Sequence, residues 1–210
     1  MKRGLFGLVG AAVLAALAWG IFLRFSPERL VNLPPTATGP WVAFGDSLTE
    51  GYGAESGQDY PSQLSGRLGI PITNSGRSGE TSGDGRARVD EIASLRPRVV
   101  LLCFGGNDEL RRLSRSEMLS NLSAIIDRLQ REGTFVVLMG IRSASVRDRN
   151  EEGFRRLARE KGVLHVSDLM DGVMFHAELM SDGVHPNERG YAQIAGRLEA
   201  ELSPWMAQLR

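Results

Sequence analysis

Residues 98–104 read RVVLLCF, and residues 134–139 read TFVVLM. Neither run alternates apolar with polar positions. Each is a continuous, β-branched and leucine-rich stretch, the composition of strands covered on both faces. Working outward, residues 41–46 (WVAFGD) form a shorter apolar run ending in turn residues. Residues 71–74 (PITN) and 162–166 (GVLHV) read as further strands. Helical stretches fall between them, at residues 60–68, 85–95, 116–132, 150–161 and 188–202. In 116–132, Met118, Leu122, Ile125, Ile126 and Leu129 fall at the three-and-four spacing of one buried face. Strand followed by helix, five times over, predicts an α/β fold: a parallel sheet with helices on both sides.

The 210-residue chain is of ordinary globular composition, 42% hydrophobic and 24% charged, and suits one domain. Twenty-five basic residues balance twenty-five acidic ones, which excludes a strongly basic nucleic-acid footprint and an acidic disordered tail. Cys103 is the only cysteine, so no internal disulfide framework or cysteine-rich zinc site is available. Three histidines (His165, His176, His185) leave little material for a metal cage.

The neutrality hides an asymmetry. Residues 1–30 carry Lys2, Arg3, Arg24 and Arg29 against Glu28 alone, which leaves the remainder mildly acidic. Residues 4–23 (GLFGLVGAAVLAALAWGIFL) hold no charge, and at about 1.5 Å per residue in a helix they match the roughly 30 Å hydrocarbon core of a membrane. The cationic start predicts a cytoplasmic N-terminus with the rest exported. A cleaved signal peptide is the rival, since Ala16-Leu17-Ala18 resembles a small-residue cleavage site. The apolar run continues through Trp19, Ile21, Phe22 and Leu23, which favours an uncleaved signal anchor over residues 1–24. Residues 25–40, with Pro27, Pro34, Pro35 and Pro40, read as an extended tether leading to a domain at 41–210.

In open α/β sheets, ligands bind beyond the carboxyl ends of the strands, at the topological switch point. The first strand runs into Gly45-Asp46-Ser47-Leu48-Thr49. A serine opening the next segment can act as a nucleophile whose own N–H helps hold an oxyanion, or it can simply cap a helix. After the second strand come residues 74–81 (NSGRSGET), where the backbone of Gly79 can approach an anionic oxygen. A phosphate-cradling loop is excluded there, because no Gly-Lys-Ser/Thr ending follows and Lys2 and Lys161 are the only lysines. The third strand ends in Gly105-Gly106-Asn107-Asp108. The Asn107 amide is a neutral donor suited to developing negative charge, with Asp108 left for capping.

Near the C-terminus, residues 181–187 read SDGVHPN. Pro186 suits the first turn of the last helix, which puts His185 at its edge. Asp182, three residues earlier, can reach the His185 Nδ1–H and fix the tautomer, freeing Nε2 to take a proton from a serine. His165 and His176 are assigned structural roles. The chain order Ser…Asp…His is one that convergent triads use, but no Gly-x-Ser-x-Gly elbow occurs, which disfavours a conventional α/β-hydrolase.

With these four blocks the chain resembles the SGNH (GDSL) hydrolase superfamily over nearly all of residues 41–205, and within it the bacterial arylesterase, thioesterase I and lysophospholipase L1 branch. FGDSLTEGYGA, NSGRSGETS, FGGND and DGVHPNERGY carry the likeness, with Glu80 standing where an Asp is frequent. The resemblance implies a flavodoxin-like α/β/α sandwich, a three-layer fold on a five-stranded parallel sheet. It implies hydrolysis of esters or thioesters without metal or organic cofactor, with Ser47, Asp182 and His185 catalytic and Ser47, Gly79 and Asn107 forming the oxyanion hole. The expected partners are a small acyl-ester substrate and, through the leader, the bacterial inner membrane, with the catalytic domain periplasmic. Alternatives are a transacylase or an inactive module binding acylated glycan or lipid. Ile141 and Arg142, after the fourth strand, are candidates for lining the acyl pocket.

Overall fold

The computed structural model describes residues 30–141 and 150–210. Five strands, β1 (Gly39–Gly45), β2 (Ile72–Gly76), β3 (Pro97–Cys103), β4 (Phe135–Met139) and β5 (Leu164–Val166), pair in the order β2-β1-β3-β4-β5. Every pairing is parallel. The helices between them are α1 (Ser47–Glu50), α2 (Tyr60–Leu68), α3 (Ser82–Ala93), α4 (Gly106–Leu110), α5 (Arg115–Gln130), α6 (Asn150–Lys161) and α7 (Glu188–Leu202).

The two-residue period of a strand divides the apolar runs between two cores. Trp41, Ala43, Val99, Leu101, Cys103, Phe135, Val137 and Met139 face one way, against Tyr60 and Leu64 of α2 and Tyr191, Ile194 and Leu198 of α7. Val42, Phe44, Val100, Leu102, Val136 and Leu138 face the other, against Val89 and Ile92 of α3, Leu122, Ile125 and Ile126 of α5 and Phe154 of α6. An apolar run with no polar alternation is what such a three-layer sandwich demands, at roughly 1.5–3 kcal/mol for each fully buried large side chain. The α/β/α expectation holds.

Helices α2, α6 and α7 match the sequence pattern. Helix α3 begins earlier than its apolar spacing suggests because of a capping box. The Thr81 hydroxyl accepts the Asp84 N–H, and the Asp84 carboxylate accepts the Thr81 N–H. The one-turn helices α1 and α4 are too short for any periodic signal.

Residues 30–40 depart from the tether reading. The Asn32 side-chain amide donates to the carbonyls of Gln130 (2.9 Å) and Thr134 (3.0 Å), and the amides of Thr36 and Ala37 donate to Gly133 O. Leu30 and Leu33 pack on the core, and Ala37 is fully buried. This stretch is therefore fastened along the amino ends of β4 and β5, with its apolar side chains turned onto the core. Residues 30–37 are thus packed against the domain that follows them. The apolar run at 4–23 and the remainder of the expected tether lie outside the described residues. Among the described residues, no helix is long and apolar enough to cross a membrane.

Candidate active site

Strand register explains why separated motifs meet. Gly45, the last residue of β1, pairs with Gly76 at the end of β2 on one side and Cys103 at the end of β3 on the other. The three strands stop level, so residues 46–47, 77–80 and 104–107 leave the sheet at one edge. β1 is also the switch point: the chain moves to one side to form β2 and crosses back to form β3.

Ser47 opens α1 immediately beyond β1. Its predecessor Asp46 is the N-cap, with Oδ1 accepting the Leu48 N–H at 3.1 Å. The turn is tight: a Cβ on Gly45 would lie 2.1 Å from Thr49 Oγ1 and 2.5 Å from the Cys103 carbonyl oxygen. Only glycine leaves room for α1 to fold back there. As the first residue of a helix, Ser47 has no intrahelical acceptor for its N–H.

Ser47 Oγ lies 3.0 Å from His185 Nε2, and His185 Nδ1 lies 2.8 Å from Asp182 Oδ2. The other Asp182 oxygen accepts the backbone N–H groups of Val184 (2.8 Å) and His185 (2.7 Å), folding the loop around the carboxylate. The hydrogen bond from His185, helped by these amides, lowers the Asp182 carboxyl to about 2. An ionised acceptor at Nδ1 selects the tautomer whose Nε2 is free to accept. Pro186 is not in the first turn of α7. Asn187 is the N-cap, its side chain accepting the N–H groups of Arg189 and Gly190, and Pro186 instead bridges Met180. That bridge, together with the Ser181 N–H to His185 carbonyl bond (2.9 Å), holds the histidine loop.

Gly79 and Asn107 also come to this edge. Gly79 has φ +81°, a left-handed conformation suited to glycine, and its carbonyl accepts from Arg111 Nη2 at 2.7 Å. Asn107 Nδ2 donates to the neighbouring Glu80 carbonyl at 2.9 Å, which uses one of the two amide hydrogens and orients the other. The Glu50 carboxylate, one turn after Ser47, accepts from both the N–H and the hydroxyl of Ser78. The serine segment and the Gly79 loop are thus tied together. Ile141 Cδ1 would lie 3.7 Å from a Cβ on Gly106, beside Asn107, so Ile141 borders the site. Arg142 lies outside the described residues.

Several residues of the site escaped sequence reading. Asp46 is 1% exposed, and burial, followed by repulsion from Asp108 and Glu80, raises its carboxyl to about 7 against the pull of the Leu48 amide. Its signal was the N-cap position, which says nothing about burial. Tyr52 places its ring 4.6 Å from the His185 imidazole, and its carbonyl accepts the Tyr191 hydroxyl (2.9 Å). Asp108 reaches from its own segment to the first residue of α3, accepting the N–H (2.8 Å) and hydroxyl (2.6 Å) of Ser82. Cys103 is fully buried, and burial beside Asp46 pushes its thiol well up, which suits an inert core residue.

The chain has relatives among known proteins. Residues 43–193 match the model of the GDSL-like lipase/acylhydrolase family. The chain belongs to this family. It is 31% identical over 176 residues to esterase TesA of Pseudomonas aeruginosa, covering 78% of this chain and 87% of that protein. With an arylesterase of Vibrio mimicus it shares 30% identity over 173 residues, 77% of this chain and 86% of the relative. Among solved structures, AlinE4, an SGNH-hydrolase family esterase, superposes with a TM-score of 0.64 at 33% identity, over 81% of this chain and 96% of that one. Family membership makes the chain a carboxylic ester hydrolase.

Proposed function

We propose that this ester hydrolase works as a serine esterase on short-chain or aryl esters and related thioesters or lysophospholipids, through an acyl-enzyme on Ser47. The observation that carries the reading is the unbroken contact from Ser47 Oγ to His185 Nε2 (3.0 Å) and from Nδ1 to Asp182 (2.8 Å). His185 Nε2 takes the hydroxyl proton as Oγ attacks the ester carbonyl. Asp182 stabilises the resulting imidazolium without itself taking the proton. The tetrahedral oxyanion receives N–H donors from Ser47, Gly79 and the Asn107 amide. His185 then returns the proton to the departing alcohol, and water repeats the cycle on the acyl-serine, releasing acid and regenerating Ser47. A fluorophosphonate should label the wild-type chain and not Ser47→Ala, while Ser47→Ala loses about 10⁴-fold or more in turnover of p-nitrophenyl esters. Labelling that survives Ser47→Ala refutes the nucleophile.

The leader completes the proposal. Residues 4–23 anchor the chain in the bacterial inner membrane, with the basic N-terminus cytoplasmic and the catalytic body periplasmic, a reading supported by the uncharged run and its flanking Lys2, Arg3 and Arg24. Downstream of the leader, the Val31 N–H donates to Gly162 O (2.7 Å) at the amino end of β5. Ser47 lies at the opposite end of the sheet from this contact. Carbonate extraction of cell membranes tests this: the chain stays in the pellet, whereas release of a shortened soluble form identifies a cleaved leader.

A further inference from the structure

Arg88 sits in the middle of α3 on its buried face, at a position that the spacing Gly85, Arg88, Val89, Ile92 assigns to an apolar side chain. It is 5% exposed. A charge so placed is retained only when fully partnered. Its Nε donates to both Glu80 carboxylate oxygens (3.0 and 2.7 Å), and Nη2 lies 2.7 Å from Glu80 Oε2. Nη1 donates to Ser75 Oγ (3.0 Å), and Nη2 also reaches the carbonyls of Ser75 (3.0 Å) and Gly45 (3.2 Å). The guanidinium carbon lies 4.5 Å from the centre of the Phe44 ring.

These partners are the ends of the segments that meet at the site. Gly45 is the last residue of β1, two before Ser47. Ser75 belongs to the end of β2, and Glu80 directly follows Gly79. The Glu80 main chain, in turn, holds the Asn107 amide. We propose that Arg88 is a positioning residue for the oxyanion-binding side of the site, setting the Gly79 amide and the Asn107 side chain relative to Ser47 through its pairing with Glu80. It does not touch substrate. The inference rests on the roles of Gly79 and Asn107 given above.

Stability alone does not account for the pair. An apolar side chain at a helix stripe position carries no desolvation cost, and replacing a buried ion pair with apolar or neutral groups of similar volume is often neutral or stabilising. What one guanidinium provides that a leucine does not is a simultaneous hold on three chain segments with fixed angles. Donors aimed at an oxyanion need that hold, because a misplacement of about 1 Å can cost on the order of 10²-fold in rate.

The test uses the full-length chain, p-nitrophenyl butyrate kinetics and thermal unfolding. Two variants are compared: Arg88→Lys, and the neutral pair Arg88→Met with Glu80→Gln. Both should lose about 10–100-fold in kcat with KM changed less than about threefold, since the loss falls on the transition state. The neutral pair should still unfold cooperatively well above the assay temperature, so its loss of activity is not a loss of fold. In an Asn107→Ala background, Arg88→Lys should cost much less than it does alone, because one of the donors it sets is gone. A folded neutral-pair variant with wild-type kcat overturns the proposal, as do strictly additive losses of Arg88→Lys and Asn107→Ala; both outcomes leave the oxyanion assignment standing. Unimpaired kcat in Asn107→Ala alone overturns that assignment and the Arg88 proposal with it.

Discussion

Asp46 gives a sharp physical prediction, because its carboxyl is buried next to other acids. At 1% exposure, its folded value of about 7 stands against an ordinary 3.8. The folded state therefore binds the proton more tightly than the unfolded state. Between these two values the folded chain carries more protons, so this group's contribution to stability is fully present below about 4 and is lost as pH rises through 7. At roughly 1.4 kcal/mol per unit, the full loss is about 4 kcal/mol, of which about 2–3 kcal/mol falls between pH 5 and pH 8. Asp46→Asn removes the titration and keeps the Oδ1 acceptor for the Leu48 N–H, so the cap survives. Urea unfolding of both proteins at pH 5 and pH 8 measures the difference. The variant should gain about 2–3 kcal/mol relative to wild type on moving to pH 8. A stability difference that is the same at the two pH values would refute the burial argument, whatever its absolute size.

Asp182 behaves in the opposite sense. With its carboxyl held at about 2 by the His185 hydrogen bond, its contribution is present above the ordinary carboxylate range and is lost only as pH falls toward 2. Asp182→Asn should cost about 10⁴-fold in kcat at neutral pH, measured by ester hydrolysis. Gly45→Ala should destabilise by about 3 kcal/mol in denaturant unfolding, since its Cβ would meet Thr49 Oγ1 at 2.1 Å and the Cys103 carbonyl oxygen at 2.5 Å. Cys103→Ser should keep turnover per folded molecule within about threefold, because the thiol is buried and protonated. Loss of activity in the folded Cys103→Ser protein would contradict an inert role.

Much of this protein follows from local pattern. The runs at 98–104 and 134–139 commit their segments to strands covered on both faces, and the three-and-four spacing of Met118, Leu122, Ile125 and Leu129 commits theirs to a helix with one buried face. Ser47, Asp182 and His185 were legible because each stands in a short motif next to an element end, where chemistry and turn geometry coincide. Helices α1 and α4 were not, since a single turn has no period to detect. The Asp46 cap starts α1, whereas α4 has no side-chain cap and simply follows the end of β3. The docking of residues 30–40 was likewise hidden: proline content suggests an extended chain, whereas Asn32 finds carbonyls at Gln130 and Thr134, about a hundred positions away.

Only the tertiary structure decided the charges. Arg88 reads as an ordinary helix residue, and Asp46 as an ordinary cap. Whether a charged group is buried, and what faces it there, depends on segments that are remote along the chain. Arg88 is tied to Gly45 from 43 residues upstream, and Asp46 faces Asp108 from beyond β3. Sequence patterns report propensity and period, which are short-range properties of the backbone. The electrostatic character of a site is set by desolvation and by neighbours within a few ångströms, and these exist only once the strands have been laid side by side in register.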